Sequence, residues 1–296
     1  MTTTRPTISV VVPVLNMAGT IGACLDALVG QSLPSTEREI IIVDNGSRDG
    51  TLDIARRYPV TVLEEGTPGA PSARNRGIAA ARGAFVAFTD ADCVPSRNWL
   101  KVITATAEST SADIIAGPMI VIDPHGSLIA RYSAAVGQYD PARTLAHPRF
   151  PYAATGNLAI CRSLIVKAGL FDPAFTTFDA AMLFWRIKQM GQLNARVAPR
   201  AVVFYRTRQS VGAFIRQNVG YGLGVGRYCR QISRDGLEPP RGRHLVRSWG
   251  HRLGAARQLA RSDGPPAARA GLVGLHVLRE LAIAAGTIAG RVERRP

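Results

Sequence analysis

Cysteine is scarce in this 296-residue sequence, and its four copies are widely separated. They stand at positions 24, 93, 161 and 229, and no C-x-x-C pair occurs. This spacing predicts neither a zinc site nor a redox motif. We expect the four thiols to be small buried groups of a protein in a reducing compartment.

Long apolar runs are absent as well. A helix that spans a bilayer needs about 18 consecutive apolar residues, and the nearest candidate, residues 270–290, is interrupted by Arg279 and Glu280. The N-terminal segment MTTTRPT leads directly into a strand-like run and has no signal-peptide pattern. These absences predict a cytoplasmic location and leave open a peripheral position on the inner face of the membrane.

Acidic residues are few in the last third of the chain. Residues 200–296 contain 18 arginines, no lysine and five acidic residues, and so carry about +13 of the total net charge of +15. Such a region attracts phosphate-bearing substrates, an anionic membrane or nucleic acid. Nucleic acid is the weakest partner, because the region lacks interleaved aromatic residues and a base-reading motif. A solvated helical face is the alternative interpretation.

What the sequence does contain is a regular alternation of strand and helix. The predicted strands are residues 8–16, 39–43, 60–65 and 84–92, and the helices between them are 18–29, 51–58 and 72–83. This order predicts an α/β fold, with a mostly parallel sheet flanked by helices and ligands at the carboxyl ends of the strands.

The alternation loosens after residue 112. We expect one domain over residues 1–208, made of the halves 1–112 and 113–208, with a strand-like run at 114–122 in the second half. Residues 209–296 are expected to form a basic helical extension, with a Pro/Gly/Arg-rich joint at 238–242.

The strongest local signal is TDADC, at residues 89–93. Because side chains alternate along a strand, we expect Asp90 and Asp92 to point to the same side at the end of the fourth strand. Two close carboxylates repel unless a cation lies between them, and Mg²⁺ or Mn²⁺ prefers oxygen ligands. The segment predicts a divalent metal site, and a surface turn with two solvated aspartates is the alternative.

Two further polar segments follow predicted strands. VDNGSRDGT places Asp44 directly after a buried strand, where a carboxylate can accept a hydrogen bond from a base imide, whereas Asp49 is interpreted as a helix cap. SARNRG contains Arg74 and Arg76, which are candidates for contact with a diphosphate or for pairing with the acidic strand ends. A structural salt bridge is an equal alternative for either arginine.

These segments together, in this order, resemble the family 2 glycosyltransferases of the GT-A fold over residues 9–228. The matching motifs are VVPVLN, VDNGSRDGT, ARNRG and DAD, with Asn45 in place of the second Asp of the family's usual pair. The resemblance implies that Pro13 and Asn16 line a nucleotide pocket and that Asp44 meets the base. It also implies that Asp90 and Asp92 bind ribose, diphosphate and the metal, Mg²⁺ or Mn²⁺.

The acceptor half matches the family less well. TGNLAICR, with Gly156 and Asn157, resembles the segment before the acceptor loop. In FDAAMLFWR the family's acidic positions hold Asp179, Ala180 and Met182. Asp179 is therefore the candidate general base, with Asp172 next nearest and a helix N-cap as its alternative role. Trp185 is assigned to the acceptor side, and core packing is its alternative.

The function implied by the resemblance is inverting transfer of a sugar from a nucleoside-diphosphate sugar, with UDP or dTDP slightly favoured, to a glycan, a lipid-linked molecule or another hydroxyl acceptor. RQNVGYGLGVGR lacks the Q-x-x-R-W form of the processive synthases, which favours single additions. The last helical region could lie in a membrane interface, pack on the catalytic domain or join a partner helix. Because two acidic positions are apolar, a non-catalytic nucleotide-sugar-binding or scaffold protein of the same fold is the alternative.

Overall fold

The structure is a computed structural model that describes residues 7–123, 126–137, 139–147, 151–191, 193–208, 210–235, 256–257, 259–261 and 265–292. It divides into two compact units, Met1–Ile120 with Tyr139–Arg206, and Val121–Gln138 with Thr207–Pro296. The second unit thus contains Val121–Gln138, a segment expected to belong to the half at 113–208 of the first domain. The joint expected at 238–242 lies outside the described residues.

A seven-stranded mixed sheet forms the centre of the first unit. Its strands are β1 (Ile8–Val14), β2 (Arg38–Asp44), β3 (Thr61–Glu64), β4 (Phe85–Phe88), β6 (Ile114–Ala116), β8 (Leu158–Cys161) and β9 (Ala195–Val197), in the order β3–β2–β1–β4–β8–β6–β9. The first four are parallel, β8 is antiparallel to both of its neighbours, and β6 and β9 are parallel. The predicted mostly parallel α/β fold is confirmed.

A second, three-stranded sheet has the order β5 (Cys93–Pro95), β10 (Val203–Arg206) and β7 (Met119–Ile122). The single strand expected at 114–122 is therefore wrong, since β6 and β7 belong to different sheets. The break falls at Gly117 and Pro118. A Cβ at Gly117 would lie 2.0 Å from the carbonyl oxygen of Ala201, and proline has no N–H to donate to a ladder.

The helices extend over shorter or longer spans than periodicity alone predicts. They are α1 (Ile21–Val29), α2 (Thr51–Ala55), α3 (Ala70–Ala80), α4 (Trp99–Thr110), α5 (Leu128–Ala135), α6 (Pro141–Leu145), α7 (Arg162–Lys167), α8 (Asp179–Gln189), α9 (Val211–Arg234) and α10 (Pro266–Val292). Of these, α5, α9 and α10 lie in the second unit.

The core of the first unit explains why β1 is almost wholly apolar. Six of its seven residues are buried, as expected for a parallel strand covered on both faces. Val11 packs against α3 so closely that a Cβ at Gly77 would lie 2.4 Å from the Val11 Cγ1 atom. Phe88 and Phe184 are fully buried in the same cluster. The sheet edge that carries the polar residues is therefore held on a rigid support.

In the second unit, α9 and α10 run parallel and meet through glycines. Cβ atoms at Gly222 and Gly226 would lie 2.2 and 2.4 Å from backbone oxygens of α10, and those at Gly286 and Gly290 would lie 2.2 and 2.3 Å from backbone oxygens of α9. Small residues four apart on both helices let the two backbones touch, which is the G-x-x-x-G mode of helix packing.

Arg279 and Glu280 interrupt the last apolar run of the sequence, but they do not end the helix. They pair with each other at 2.7 Å, with side chains 22% and 17% exposed, and α10 continues through them. By length and composition, α10 is the one helix in the described part of the chain that could cross a membrane. Core helices of soluble proteins meet the same criteria.

We predict opposite effects for two glycine substitutions on α10. Gly286→Ala places a methyl group 2.2 Å from the Val219 carbonyl oxygen and should destabilise the protein by about 1–3 kcal/mol through overpacking. Gly274→Ala meets nothing within 4 Å and should stabilise it by about 0.5–1 kcal/mol, since alanine is the better helix former. Thermal unfolding of the full chain tests both, and equal effects would contradict the close approach.

Candidate functional site

Asp44 ends strand β2 and is 3% exposed. Its Oδ2 atom accepts hydrogen bonds from the backbone N–H groups of Gly46 and Ser47, both at 3.0 Å. Its Oδ1 atom is buried and has no hydrogen-bond partner in the described residues. A buried acceptor of this kind is costly to leave unpaired, so the geometry leaves one oxygen for a donor supplied by a ligand.

The loop after β1 lies beside Asp44. Pro13 and Val14 of β1 pair in register with Val43 and Asp44. Asn16 has a left-handed backbone, with φ of 54°. Its side-chain oxygen accepts from the N–H of Arg48 at 2.8 Å, and its own N–H donates to the Ser47 hydroxyl at 2.9 Å. The structure thus places Pro13 and Asn16 at the same sheet edge as Asp44.

Asp49 joins the same two loops. Its carboxylate accepts from the N–H of Thr51, the first residue of α2, at 3.0 Å and from the N–H of Ala18 at 3.1 Å. The N-cap of α2 is Gly50, so the interpretation of Asp49 as the helix cap is wrong. Asp49 instead holds the start of α2 against the loop after β1.

Asp90 and Asp92 lie together, but for a different reason from the one expected. Strand β4 ends at Phe88, and a turn follows in which the N–H of Cys93 donates to the Asp90 carbonyl at 3.0 Å. The ladder stops because the partner strand β8 is preceded by a 3₁₀ turn at Thr155–Asn157. Strand alternation does not apply here, and the expected strand to residue 92 is wrong.

The ligand atoms of Asp90, Asp92 and Cys93 all lie within 4.8 Å of one another. Burial, together with Asp90 and Asp92, raises the pKa of the Cys93 thiol well above its ordinary value. Cys93 therefore stays a neutral thiol, and the two carboxylates are the donors that a cation would meet. Carboxylate oxygens are what Mg²⁺ and Mn²⁺ prefer, so the residues fit a hard divalent ion.

Arg74 of α3 connects the carboxylates of two different loops. Its Nη1 atom lies 2.6 Å from Oδ2 of Asp179, and its Nη2 atom lies 3.1 Å from Oδ1 of Asp90. The side chains of Arg74 and Asp179 are 7% and 9% exposed, while that of Asp90 is 37% exposed. Of the roles weighed for Arg74, the structure shows the pairing with acidic groups; contact with a diphosphate stays a prediction.

Asp179 is the first residue of α8, and the N-cap is Phe178, which has a left-handed φ of 65°. The alternative role as N-cap is therefore wrong. Burial raises the pKa of Asp179 above its ordinary value, and the ion pair with Arg74 offsets only part of the increase. Conversely, Asp179 and Asp90 together outweigh the burial of Arg74 and raise the pKa of its guanidinium.

Gly156, one of the residues assigned to the acceptor side, lies beside the carboxylate of Asp90. The Gly156 carbonyl accepts from the Thr89 hydroxyl at 3.0 Å, and a Cβ on Gly156 would lie 3.3 Å from Oδ2 of Asp90. Asn157 accepts from the Trp99 indole and donates to two backbone carbonyls, so its side chain supports the loop. Trp185 on α8 has a buried indole N–H without a partner among the described residues.

The structural role of Asn45 was not predicted from the sequence. Its side-chain oxygen accepts from the N–H of Gly69 at 2.6 Å, and its amide donates to the carbonyls of Glu65 and Thr67 at 2.9 and 2.8 Å. These bonds fix the loop that leads into α3 and therefore into Arg74. An aspartate here could not donate either of the last two bonds, and the departure from the usual acidic pair was the available signal.

The fold and this edge define a class of protein. In an open α/β sheet, ligands bind at the carboxyl ends of the parallel strands, and this edge carries the buried Asp44 and a metal-suited acidic pair. The sequence model of glycosyl transferase family 2 matches residues 9–168, more than half of the chain. The protein belongs to this family.

Individual relatives support the assignment. The chain is 38% identical over 141 residues to glycosyltransferase AglE of Haloferax volcanii, covering 45% of this chain and 46% of the relative. It is 27% identical over 224 residues to the pre-mycofactocin glycosyltransferase of Mycobacterium tuberculosis, covering 73% and 46%. The chain thus spans less than half the length of these curated relatives.

Solved structures share the fold over nearly the whole chain. The mannosyltransferase PcManGT from Pyrobaculum calidifontis, in complex with GDP-Man and Mn²⁺, superposes with a TM-score of 0.67 at 21% identity, covering 99% of this chain and 89% of its own. TarS 1-349 of S. aureus in complex with UDP-GlcNAc has a TM-score of 0.56 at 17% identity, covering 93% and 72%.

We predict that Arg74 is needed for folding because it neutralises a buried carboxylate. Arg74→Met should lower the free energy of unfolding by about 3–5 kcal/mol, since Asp179 would remain buried without its partner. Adding Asp179→Asn should restore about 1–3 kcal/mol of that loss. Urea unfolding measures both changes.

Arg76→Met is the matched control, because Arg76 lies two residues away on α3 and is exposed. It should change the free energy of unfolding by less than about 0.5 kcal/mol. If Arg74→Met were as mild as Arg76→Met, the ion pair would have no structural role.

Proposed function

We propose that the protein transfers a sugar from a nucleoside-diphosphate sugar to an acceptor hydroxyl, with inversion at the anomeric carbon and one sugar added at a time. The observation that carries the proposal is the group formed by Asp90, Asp92, Arg74 and Asp179. In a member of glycosyl transferase family 2, it combines a metal-suited acidic pair with a buried carboxylate joined to it through one arginine.

The donor nucleotide is proposed to lie along the edge formed by Pro13, Asn16 and Asp44. The unpartnered Oδ1 of Asp44 would accept the imide N–H of a pyrimidine base, which favours UDP or dTDP. TarS has been solved with UDP-GlcNAc and PcManGT with GDP-Man, so the family's fold accommodates both kinds of base. The sugar itself is left to experiment.

Asp90 and Asp92 are proposed to hold Mg²⁺ or Mn²⁺, with ribose and diphosphate oxygens nearby. A bound ion of this kind neutralises charge on the departing nucleoside diphosphate. One oxygen of Asp90 is already engaged by Arg74, so its other oxygen, on the side of Gly156, is the one available to a cation. Arg74 is thus proposed to orient Asp90 within the nucleotide-sugar site.

Asp179 is proposed as the general base. Inversion requires a carboxylate that takes the proton of the acceptor hydroxyl as its oxygen attacks the anomeric carbon. Burial raises the pKa of Asp179 towards neutral pH. A general base is most effective when its pKa lies near the pH at which the enzyme works. Arg74 holds its carboxylate oxygen in place. Gly156, Asn157 and Trp185 are proposed to form the acceptor side, Asn157 by supporting the loop.

The acceptor is proposed to be a glycan or a lipid-linked molecule at the cytoplasmic face of a membrane. The support is the excess of arginine after residue 200, because anionic lipids of the cytoplasmic leaflet attract basic segments. A non-catalytic nucleotide-sugar-binding protein is the second candidate. It is favoured by Ala180 and Met182, which are buried in the core at positions where the family is acidic.

The two candidates differ in turnover. We predict that the purified protein releases nucleoside diphosphate from UDP- or dTDP-sugars when Mn²⁺ or Mg²⁺ is present and stops when EDTA is added. Asp92→Asn should reduce release by about 100-fold, since metal stabilisation is worth several kcal/mol. Asp179→Asn should reduce transfer by about 100- to 10,000-fold while donor binding is retained. Donor binding without any turnover would favour the non-catalytic candidate.

We also predict that the pH profile identifies the base. Because burial raises the pKa of Asp179, the carboxylate form is present above that pKa and is lost as the pH falls through it. The acid limb of kcat/KM at saturating metal should therefore lie above the value of about 3.9 for an ordinary aspartate. The residual activity of Asp179→Asn should lack this limb, and an unchanged limb would assign the base elsewhere.

A further inference from the structure

Exposed hydrophobic side chains are concentrated on one face of α10. Among the described residues, nine large hydrophobic side chains are exposed, and five of them lie on this helix: Val277 (50%), Leu278 (41%), Leu281 (63%), Ile288 (67%) and Val292 (74%). Their spacing of three, four and seven residues puts them on one side of the helix. The positions between them on that side are small, at Gly274, Ala284 and Ala285. We name this surface the outer face of α10.

The opposite face of α10 is used within the second unit. Leu272 and Leu275 are buried in a cluster with Ile129, Tyr132 and Phe214. His276 is buried too, with its Nδ1 atom 2.9 Å from the Tyr132 hydroxyl. The helix is thus packed on one side and exposed on the other, and the outer face extends over about 27 Å, at 1.5 Å per residue from Gly274 to Val292.

Charge indicates what covers the outer face. Between Thr207 and Pro296 there are 16 arginines, no lysine and five acidic residues, which is a net charge of +11. Arg269 and Arg291 stand near the two ends of the outer face, whereas Arg279 and Glu280 in the middle neutralise each other. An apolar helix face in a strongly basic unit is the pattern of helices that lie in the interface of an anionic membrane. A second copy with the same charge would be repelled.

The packing of α9 decides between lying in the interface and crossing the bilayer. Gly222 and Gly226 hold α9 parallel to α10 at backbone contact. Because Gly222 lies against Gly286 and Gly226 lies against Gly290, Arg216 of α9 stands level with Glu280 in the middle of α10. If α10 crossed the membrane, Arg216 would enter the hydrocarbon together with Arg279 and Glu280, at about 2.5–3.5 kcal/mol for a charged side chain even on the most lenient scale. A position in the plane of the membrane surface avoids this cost.

We infer that the outer face of α10 is a membrane-docking surface that lies in the plane of an anionic lipid interface. Leu281 and Ile288 insert between lipid headgroups, and the arginines of the unit contact lipid phosphates. The inference specifies the membrane contact included in the proposed function. Docking is measured without substrate, so its failure can be distinguished from a failure of transfer.

The test is flotation of the full-length protein with vesicles. Wild type should float with vesicles of phosphatidylcholine and phosphatidylglycerol and much less with phosphatidylcholine alone. Leu281→Asp/Ile288→Asp should weaken binding to the anionic vesicles by about 100-fold, because it removes two large apolar groups from the interface and adds negative charge. Val166→Asp is the matched control, since Val166 is 54% exposed on α7 in the other unit, and it should bind as wild type does.

Several outcomes would overturn the inference. Equal binding of wild type and the double variant would place the contact elsewhere, and equal binding to both kinds of vesicle would remove the role of anionic lipid. Resistance of vesicle-bound protein to alkaline carbonate extraction would show that α10 crosses the bilayer. A wild-type dimer that becomes a monomer in the double variant, with no vesicle binding by either, would assign the face to a second copy.

Two further measurements show whether the double variant remains folded and active. Circular dichroism should show the same helix content and melting temperature for the double variant and wild type, because both substituted side chains are mostly exposed. Nucleoside diphosphate release in detergent-free solution should also be unchanged. A variant that loses flotation but keeps release separates docking from transfer, whereas release lost together with fold would show that the outer face is structural and overturn the inference.

Discussion

The site depends on the two ion pairs made by the buried arginine of α3. Arg74 reaches Asp179 at the start of α8 and Asp90 in the turn after β4. Burying the charges of Arg74 and Asp179 is costly unless they compensate one another, and the carboxylates of Asp179 and Asp90 would repel without a cation between them. One guanidinium group compensates the buried charge and separates the two carboxylates, because its N–H groups can donate to both carboxylates at once. The orientation of Asp90 and Asp179 therefore follows from one side chain.

The sequence predicted the sheet and its edge well, because both depend on local signals. Almost wholly apolar strands and regularly spaced turns are enough to predict a parallel sheet, and Asp44 was placed correctly because it directly follows such a strand. The turn at Asp90–Cys93 could not be predicted, since β4 ends where its partner β8 gives way to a 3₁₀ turn. That partner lies about 70 residues away in sequence, beyond the reach of any local pattern.

The same reasoning explains the errors in the second half of the chain. The run at 114–122 is continuous in hydrophobicity, but Gly117 lies against the Ala201 carbonyl and the two parts enter different sheets. Likewise, Arg279 and Glu280 look like an interruption in sequence, whereas in the structure they cancel one another on a continuous helix. In both cases the structure depends on a contact between residues, and the composition of the segment does not reveal that contact.

The apolar residues at 180 and 182 also have a physical explanation. Both positions are buried, at 6% and 4% exposure, and they follow Asp179 by one and three residues on α8. A second carboxylate at Ala180 would add another negative charge to a group that has one arginine for two aspartates, and like charges at close range raise each other's pKa. Because residue 180 is alanine, Arg74 pairs with two carboxylates, those of Asp179 and Asp90. The alanine at position 180 thus avoids a further carboxylate that Arg74 could not neutralise, and it belongs to the hydrophobic core of the first unit.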